Sequence, residues 1–191
     1  MLEKIFAMLR RRNRRCNECG NMDMPQKKIE IERKFTVNSD GWRVNVERWE
    51  HYWQGYLSTQ VKPTTRVRLS RSPDHDYASI TIKDSRKGIT RLEFEYAIPT
   101  SDAEQMLELL CEKPILEKTR HFLTYAGLMW HVDEFWGENI GLVTAEVELD
   151  HVNQQFELPI WAGDDVTANH DYHNSSLTRK PFKSWGLLAL S

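Results

Sequence analysis

From Ile29 onward, hydrophobic and polar positions alternate with a period of two, the mark of half-buried β-strands. In Ile29-Glu30-Ile31-Glu32-Arg33-Lys34-Phe35, one face carries Glu30, Glu32 and Lys34, and the other Ile29, Ile31 and Phe35. Thr65-Arg66-Val67-Arg68-Leu69 sets two arginines against two aliphatics, and Thr81 and Lys83 oppose Ile80 and Ile82. Arg91, Glu93 and Glu95 oppose Leu92, Phe94 and Tyr96. Lys118 and Arg120 share a face, as do His131 and Asp133, while Glu146 and Glu148 oppose Val147 and Leu149. The pattern predicts strands over 29–36, 49–57, 64–70, 78–83, 89–97, 116–125, 128–135 and 143–150, with hairpin loops at 71–76 and 84–88. A helix is predicted over 102–111. Ser101 and Glu104 read as a capping box, the apolar stripe is Ala103, Met106, Leu107 and Leu110, and Pro114 lies beyond the end. A shorter helix is predicted over 174–180.

An ordinary sheet with a solvated outer face would explain charged strand faces. These faces, however, carry seven basic and seven acidic side chains and few Ser, Thr, Asn or Gln. About eight strands also suffice to close a barrel around side chains or one small ligand. The fold class expected is therefore mainly β (α+β): an eight-stranded antiparallel closed β-barrel with a charged interior, apolar outside, covered by a few helices. So many buried charges require partners or water. Cations clustered there suit a chain of phosphates, since Arg pairs bidentately with phosphate oxygens. Carboxylates beside them are explained by a divalent metal, Mg²⁺ or Mn²⁺, bridging protein oxygens and phosphates.

Composition narrows the classes further. The 191 residues allow one domain, 40% hydrophobic and 28% charged residues are ordinary for a soluble chain, and no apolar run is long enough to span a membrane. Residues 1–28 hold eight Lys/Arg against three Asp/Glu and read as a basic N-terminal extension, disordered or a short amphipathic helix. Cys16 and Cys19 in that stretch form half a zinc knuckle without a second half. Residues 29–191 form the domain, and their acidic balance of 18 basic against 25 acidic residues argues against nonspecific nucleic-acid binding. With three cysteines and no disulfide framework, a cytoplasmic location is expected.

Those residues also carry a family likeness. Glu30-x-Glu32-x-Lys34 resembles the ExExK signature of the CYTH superfamily, the triphosphate tunnel metalloenzymes. Gln54-Gly55-Tyr56-Leu57, Arg66-Val67-Arg68, Thr81-Ile82-Lys83, Arg91-Leu92-Glu93-Phe94-Glu95, Glu117-Lys118-Thr119-Arg120 and Ala145-Glu146-Val147-Glu148 follow in family order. Asp165-Val166-Thr167, Tyr172 and Asn174 resemble the bacterial C-terminal tail. The resemblance implies a tunnel fold acting on triphosphate-bearing substrates with a divalent cation, and is nearest to small bacterial inorganic tripolyphosphatases. It implies that Glu30, Glu32, Glu146 and Glu148 hold metal. Lys34, Arg66, Arg68, Lys83, Arg91, Lys118 and Arg120 clamp phosphates, with Tyr56 at a tunnel mouth. Glu30, Glu32, Lys118 and Asp133 are the catalytic candidates. Asp133, Glu93 and Glu95 hold a second metal, position water, or keep the cations in place.

The function expected is metal-dependent hydrolysis of inorganic triphosphate to pyrophosphate and phosphate, by a monomer or homodimer whose partner is the small-molecule substrate. The alternatives are a nucleotide-directed member (adenylyl cyclase, or nucleoside or thiamine triphosphatase) and a noncatalytic polyphosphate-binding module. Tyr56 reads equally as packing. His131 reads as a hydrogen-bonded interior histidine and the other histidines as surface or loop residues. Cys111 reads as an inert buried thiol, and Trp49, Trp53 and Trp130 as packing between barrel and helices.

Overall fold

The structure, a computed structural model, describes residues 31–58, 63–83 and 93–186. The described residues form nine strands, the first eight on the alternating pattern: β1 (Ile31–Val37), β2 (Arg48–Ser58), β3 (Thr64–Arg71), β4 (Asp76–Lys83), β5 (Glu93–Ala97), β6 (Leu116–Tyr125), β7 (Leu128–Phe135), β8 (Val143–Leu149) and β9 (Ala162–Asp165). All pair antiparallel in the order β5-β4-β3-β2-β6-β7-β8-β1-β9. Among the described residues two α-helices interrupt the series, α1 (Thr100–Leu109) and α2 (Asn174–Arg179). The expected basic extension, the 84–88 hairpin and the first residues of the strand expected at 89–97 lie outside the described residues.

Two expectations are corrected. Among the described residues no ladder joins β5 to β1, so the sheet is open rather than a closed ring of eight. The physical reason is β9, which the sequence pattern missed. It pairs with the outer edge of β1 through Phe35↔Asp165 and Val37↔Ala162, occupying backbone groups that closure would use there. Second, the helix begins before Ser101. The backbone N–H groups of Asp102 and Ala103 both donate to the Pro99 carbonyl. The Ser101 hydroxyl lies inside the first turn, 3.4 Å from its neighbour Asp102 Oδ1, and caps nothing.

The apolar strand faces look outward and are covered. Phe35, Val132, Ala145, Val147 and the wholly buried Trp130 pack with Trp42, from the 3₁₀ turn at Asp40–Asn45, and with Trp161. The Trp130 and Trp161 rings meet edge to face at 5.4 Å. Val67, Leu69 and Ala78 take Ala103 and Leu107 of α1, whereas Leu116 and Phe135, which register places on the same face as Lys118, take Leu177 of α2. Burying each such large side chain contributes about 1.5–3 kcal/mol. Trp53 packs in the α1 layer as expected, whereas Trp49 is exposed. His51 and His121 sit in strands, not loops, bonded to Thr119 and Glu117 and to Glu134 respectively.

Candidate active site

With the apolar faces covered, the opposite face of the sheet is the charged one, and much of it is also shielded from solvent. Register brings its residues into contiguous rows. Lys34 faces Glu146 across β1 and β8, Arg120 faces Asp133 across β6 and β7, and Lys118 faces Tyr52 across β6 and β2. Lys34, Lys118, Asp133 and Glu146 are all buried, Asp133 wholly so. Arg120 grips Asp133 with two bonds, Nε to Oδ1 and Nη2 to Oδ2, both 2.8 Å, and reaches Glu146 Oε2 at 2.5 Å. Lys118 Nζ donates to Asp133 Oδ2, and Lys34 Nζ sits 2.7 Å from Glu146 Oε1. Lys34 Nζ also donates to the Tyr172 carbonyl at 3.2 Å, so the C-terminal segment reaches the same cluster.

These pairings fix charge states. Burial opposes ionisation of Glu146, yet Arg120, Lys34 and Lys118 hold its carboxyl well below the usual range. Burial likewise opposes ionisation of Asp133, and Arg120 and Lys118 overcome it. Burial and the neighbouring Arg120 push the Lys118 ammonium down to about 8, against the pull of Asp133. With both oxygens of Asp133 taken, it is placed to position Lys118 and Arg120 rather than to accept a proton from water.

A second cationic group continues across β2, β3 and β4. Arg66 Nη2 donates to Thr81 Oγ1 at 2.9 Å and lies 3.3 Å from Glu95 Oε2. Arg68 Nη2 donates to Gln54 Oε1 at 3.2 Å, while its Nε is buried without a hydrogen-bond partner. Burial and the charges of Arg66 and Arg120 lower the Arg68 guanidinium to about 10. Ser79 Oγ and Thr144 Oγ1, on the same face by register, are also buried without partners. Orphaned polar atoms in a polar recess are what a ligand or water is expected to satisfy. The sheet is concave on this face: Arg120 on β6 reaches Glu146 on β8 at 2.5 Å, over the intervening β7.

The acidic residues at the outer end of the face differ in exposure. Glu32 stands opposite Glu148 in the β1–β8 ladder, and both are exposed, one step beyond buried Glu146. Like charges directly opposite each other are unfavourable in an antiparallel pair. A divalent cation between them would reverse that sign, and all-carboxylate oxygen donors suit Mg²⁺ or Mn²⁺. Among the described residues no group of three or more His, Cys, Asp or Glu is clustered as a complete metal site. Glu30, the further expected ligand, lies outside those residues.

Of the sequence candidates, Lys34, Arg66, Arg68, Lys118, Arg120, Asp133 and Glu146 are brought to one face and into adjacent rows. Glu32 and Glu148 mark its rim. Tyr56 is on the same face but buried, its hydroxyl accepting from Gln54 Nε2 at 2.8 Å, which is packing rather than an exposed gate. Lys83 and Glu93 are placed opposite each other by backbone register alone, and Arg91 lies outside the described residues. His131 is an interior histidine, its Nδ1 3.4 Å from Arg120 Nη1. Cys111 is buried, and burial raises its thiol to about 11. Site residues not singled out from sequence are Tyr52, Gln54, Ser79, Thr81 and Thr144. Strand parity would have found them, since each is an even number of residues from a charged neighbour on its strand or opposite one across the ladder. Tyr172 belongs to the segment that resembles the bacterial C-terminal tail, but its contact with Lys34 is made by the backbone carbonyl, which no residue type signals.

A polar-lined, curled antiparallel sheet with clustered cations and an acidic rim defines an anion-binding class of fold. The CYTH domain matches residues 28–180, and the chain belongs to that family. It is 42% identical over 156 residues to an inorganic triphosphatase of Acetivibrio thermocellus, covering 82% of this chain and 97% of that protein. It is 34% identical over 153 residues to an inorganic triphosphatase of Nitrosomonas europaea, covering 78% of this chain and 95% of that one. A crystal structure of an inorganic triphosphatase matches with a TM-score of 0.58 at 29% identity, over 83% of this chain and 97% of that one. No helix among the described residues is long and apolar enough to cross a membrane.

Proposed function

We propose that this protein hydrolyses inorganic triphosphate to pyrophosphate and phosphate, with the phosphate chain lying along the charged face. The observation that carries the reading is the set of cations in that recess. Lys34, Arg66, Arg68, Lys118 and Arg120 converge there, while the buried carboxylates Asp133 and Glu146 are already committed to three of them and Glu95 pairs with Arg66. Buried cations in excess of their partners are costly, by several kcal/mol per ion, and a polyanion removes that cost. The inorganic triphosphatase relatives support the choice of anion.

In this reading Arg66, Arg68 and Arg120 offer forked donors to phosphate oxygens, and Lys34 and Lys118 add point charges. Phosphoryl transfer requires alignment and neutralisation more than covalent help from the protein. Water adds to a terminal phosphorus, the phosphoanhydride bond breaks, and the cations stabilise the departing pyrophosphate. Glu32 and Glu148, with Glu146 and Glu30, are the residues that would hold a Mg²⁺ or Mn²⁺ ion. When bound, that ion supplies Lewis-acid polarisation of phosphoryl oxygens. The curl of the sheet supports a tunnel that encloses the chain, in a protein of the cytoplasm.

The test is phosphate release from triphosphate, ATP, thiamine triphosphate and pyrophosphate, with Mg²⁺, Mn²⁺ or EDTA, and cyclic AMP assayed in parallel. Triphosphate should lead by orders of magnitude and EDTA should abolish turnover. Cyclic AMP as the main product, or preference for a nucleotide, would overturn the assignment.

A further inference from the structure

One ladder step beyond Arg120 and Glu50, toward the N-terminal end of β2, the chemistry of the charged face changes. Arg48 stands opposite Phe122, and Phe122 opposite His131. Phe122 is 6% exposed, an aromatic ring on the charged face, at the end away from buried Leu116 and Phe135. The Arg48 guanidinium carbon sits over it, 3.3 Å from the ring centroid, and the His131 ring meets Phe122 edge-on at 4.9 Å. Arg48 is ion-paired with Glu50, whose other oxygen accepts the Tyr52 hydroxyl at 2.6 Å. Glu50 is opposite Arg120 in register, so this assembly abuts the phosphate-binding cations directly. Arg48 and Glu50 themselves line a cavity of about 240 Å³, together with the carboxylates of Glu47 and Asp74 and with Trp49 and His75.

A phosphate chain continuing from Arg120 in this direction leaves the forked donors. It meets an aromatic ring, a guanidinium already neutralised by Glu50, and then acidic groups. We propose that the Arg48–Glu50 pair seated on Phe122 is a specificity determinant that ends the phosphate chain here, admitting a triphosphate and rejecting a fourth phosphate. This rests on the reading of the site as one for inorganic triphosphate. Its physics is discrimination by repulsion rather than by added attraction. The correct substrate loses nothing, while a longer one places anionic oxygens against Glu50. The pair also has a definite internal balance. Arg48 masks Glu50, and Glu50 in turn keeps Arg48 from serving as one more phosphate-binding cation.

That balance makes opposite predictions for its two members. The quantity to measure is kcat/KM for linear inorganic tetraphosphate divided by that for triphosphate, in the full chain with Mg²⁺. Glu50→Gln keeps the shape, removes the repelling charge and releases Arg48, so the ratio should rise by about tenfold or more. Triphosphate turnover itself should stay within a few-fold. Arg48→Met, at a position with a largely exposed side chain, leaves Glu50 unmasked and should lower the ratio. Ratios that stay at the wild-type value in both variants, or move in the same direction, overturn the proposal. If Glu50→Gln does not fold, the Arg48→Met ratio decides alone: a fall supports the stop and an unchanged or raised ratio sinks it. Wild-type protein that fails to cleave triphosphate defeats the functional reading instead. Calorimetric affinities of the two anions for the same variants then decide the stop separately.

Discussion

Asp133 holds two cations at once, and its replacement separates the roles of charge and shape. Asp133→Asn keeps the volume but takes from buried Lys118 its ion pair with Asp133 and leaves Arg120 with Glu146. Breaking a buried ionic cluster from one side costs roughly 3–5 kcal/mol. Urea denaturation of this variant should show a loss of that size, with triphosphate turnover falling by two orders of magnitude or more. Lys118 gives a pH signature at the same place. Its ammonium is pushed down to about 8 in the folded protein, from 10.5 when unfolded. A depressed amine costs stability while it is protonated in the folded state, so this contribution becomes less unfavourable as pH rises from about 8 toward 10.5. Substrate affinity should run the other way. Protonated Lys118 attracts the polyanion, so the Kd for triphosphate should increase above about pH 8, and Lys118→Arg should flatten that limb. A wild-type Kd that does not change between pH 7 and 9.5 would refute this role for Lys118.

At the scale of elements, alternation exposed most of the sheet because each strand buries one apolar face, which forces strict parity. Arg66, Arg68, Lys118, Arg120, Asp133 and Glu146 were therefore assignable to one face before any coordinates. β9 was not, since Ala162-Gly163-Asp164-Asp165 has no apolar alternation and is held instead by its pairing with β1. Its glycine is required by close approach: a Cβ on Gly163 would stand 2.4 Å from Thr36 Oγ1 and 2.5 Å from Asn38 Oδ1. The helix start was misplaced because Ser and Glu three apart do not distinguish a cap from a first turn, and the Pro99 carbonyl took the bonds a serine cap would have made. Gly55 offers the sharper test of element packing. In the middle of β2, a Cβ there would meet the Cβ and Sγ of Cys111, each at 2.7 Å, and Ile115 Cδ1 at 3.0 Å. The Cys111 Cβ is fixed to its backbone and cannot swing away, so Gly55→Ala should destabilise by about 1–3 kcal/mol through overpacking. Because Gln54 and Tyr56 flank it on the opposite face, KM for triphosphate should rise as well. An unchanged denaturation midpoint would show that Cys111 and Ile115 yield more readily than their packing implies.

The whole molecule divides charge between inside and outside. Its formal net charge is −2, yet its shielded face concentrates Lys34, Arg66, Arg68, Lys118 and Arg120. Overall field and local site thus have opposite signs, which is why composition alone argued against nonspecific nucleic-acid binding while strand parity argued for one polyanion in particular. The same division has a consequence for stability. Without ligand, the cations repel across the recess: Arg66 and Arg120 both act on Arg68, and Arg120 acts on Lys118. Triphosphate binds the folded arrangement and finds no comparable cluster in the unfolded chain, so it should stabilise by mass action. At a hundredfold excess over Kd the gain is about 2.7 kcal/mol, or roughly 5–10 °C in Tm for a chain of this size. The effect should persist in EDTA, at reduced magnitude, because the five cations belong to the protein itself. It should shrink in Arg66→Ala and in Arg68→Ala. Calorimetric scans that show equal shifts for wild type and both variants would place the anion elsewhere on the molecule.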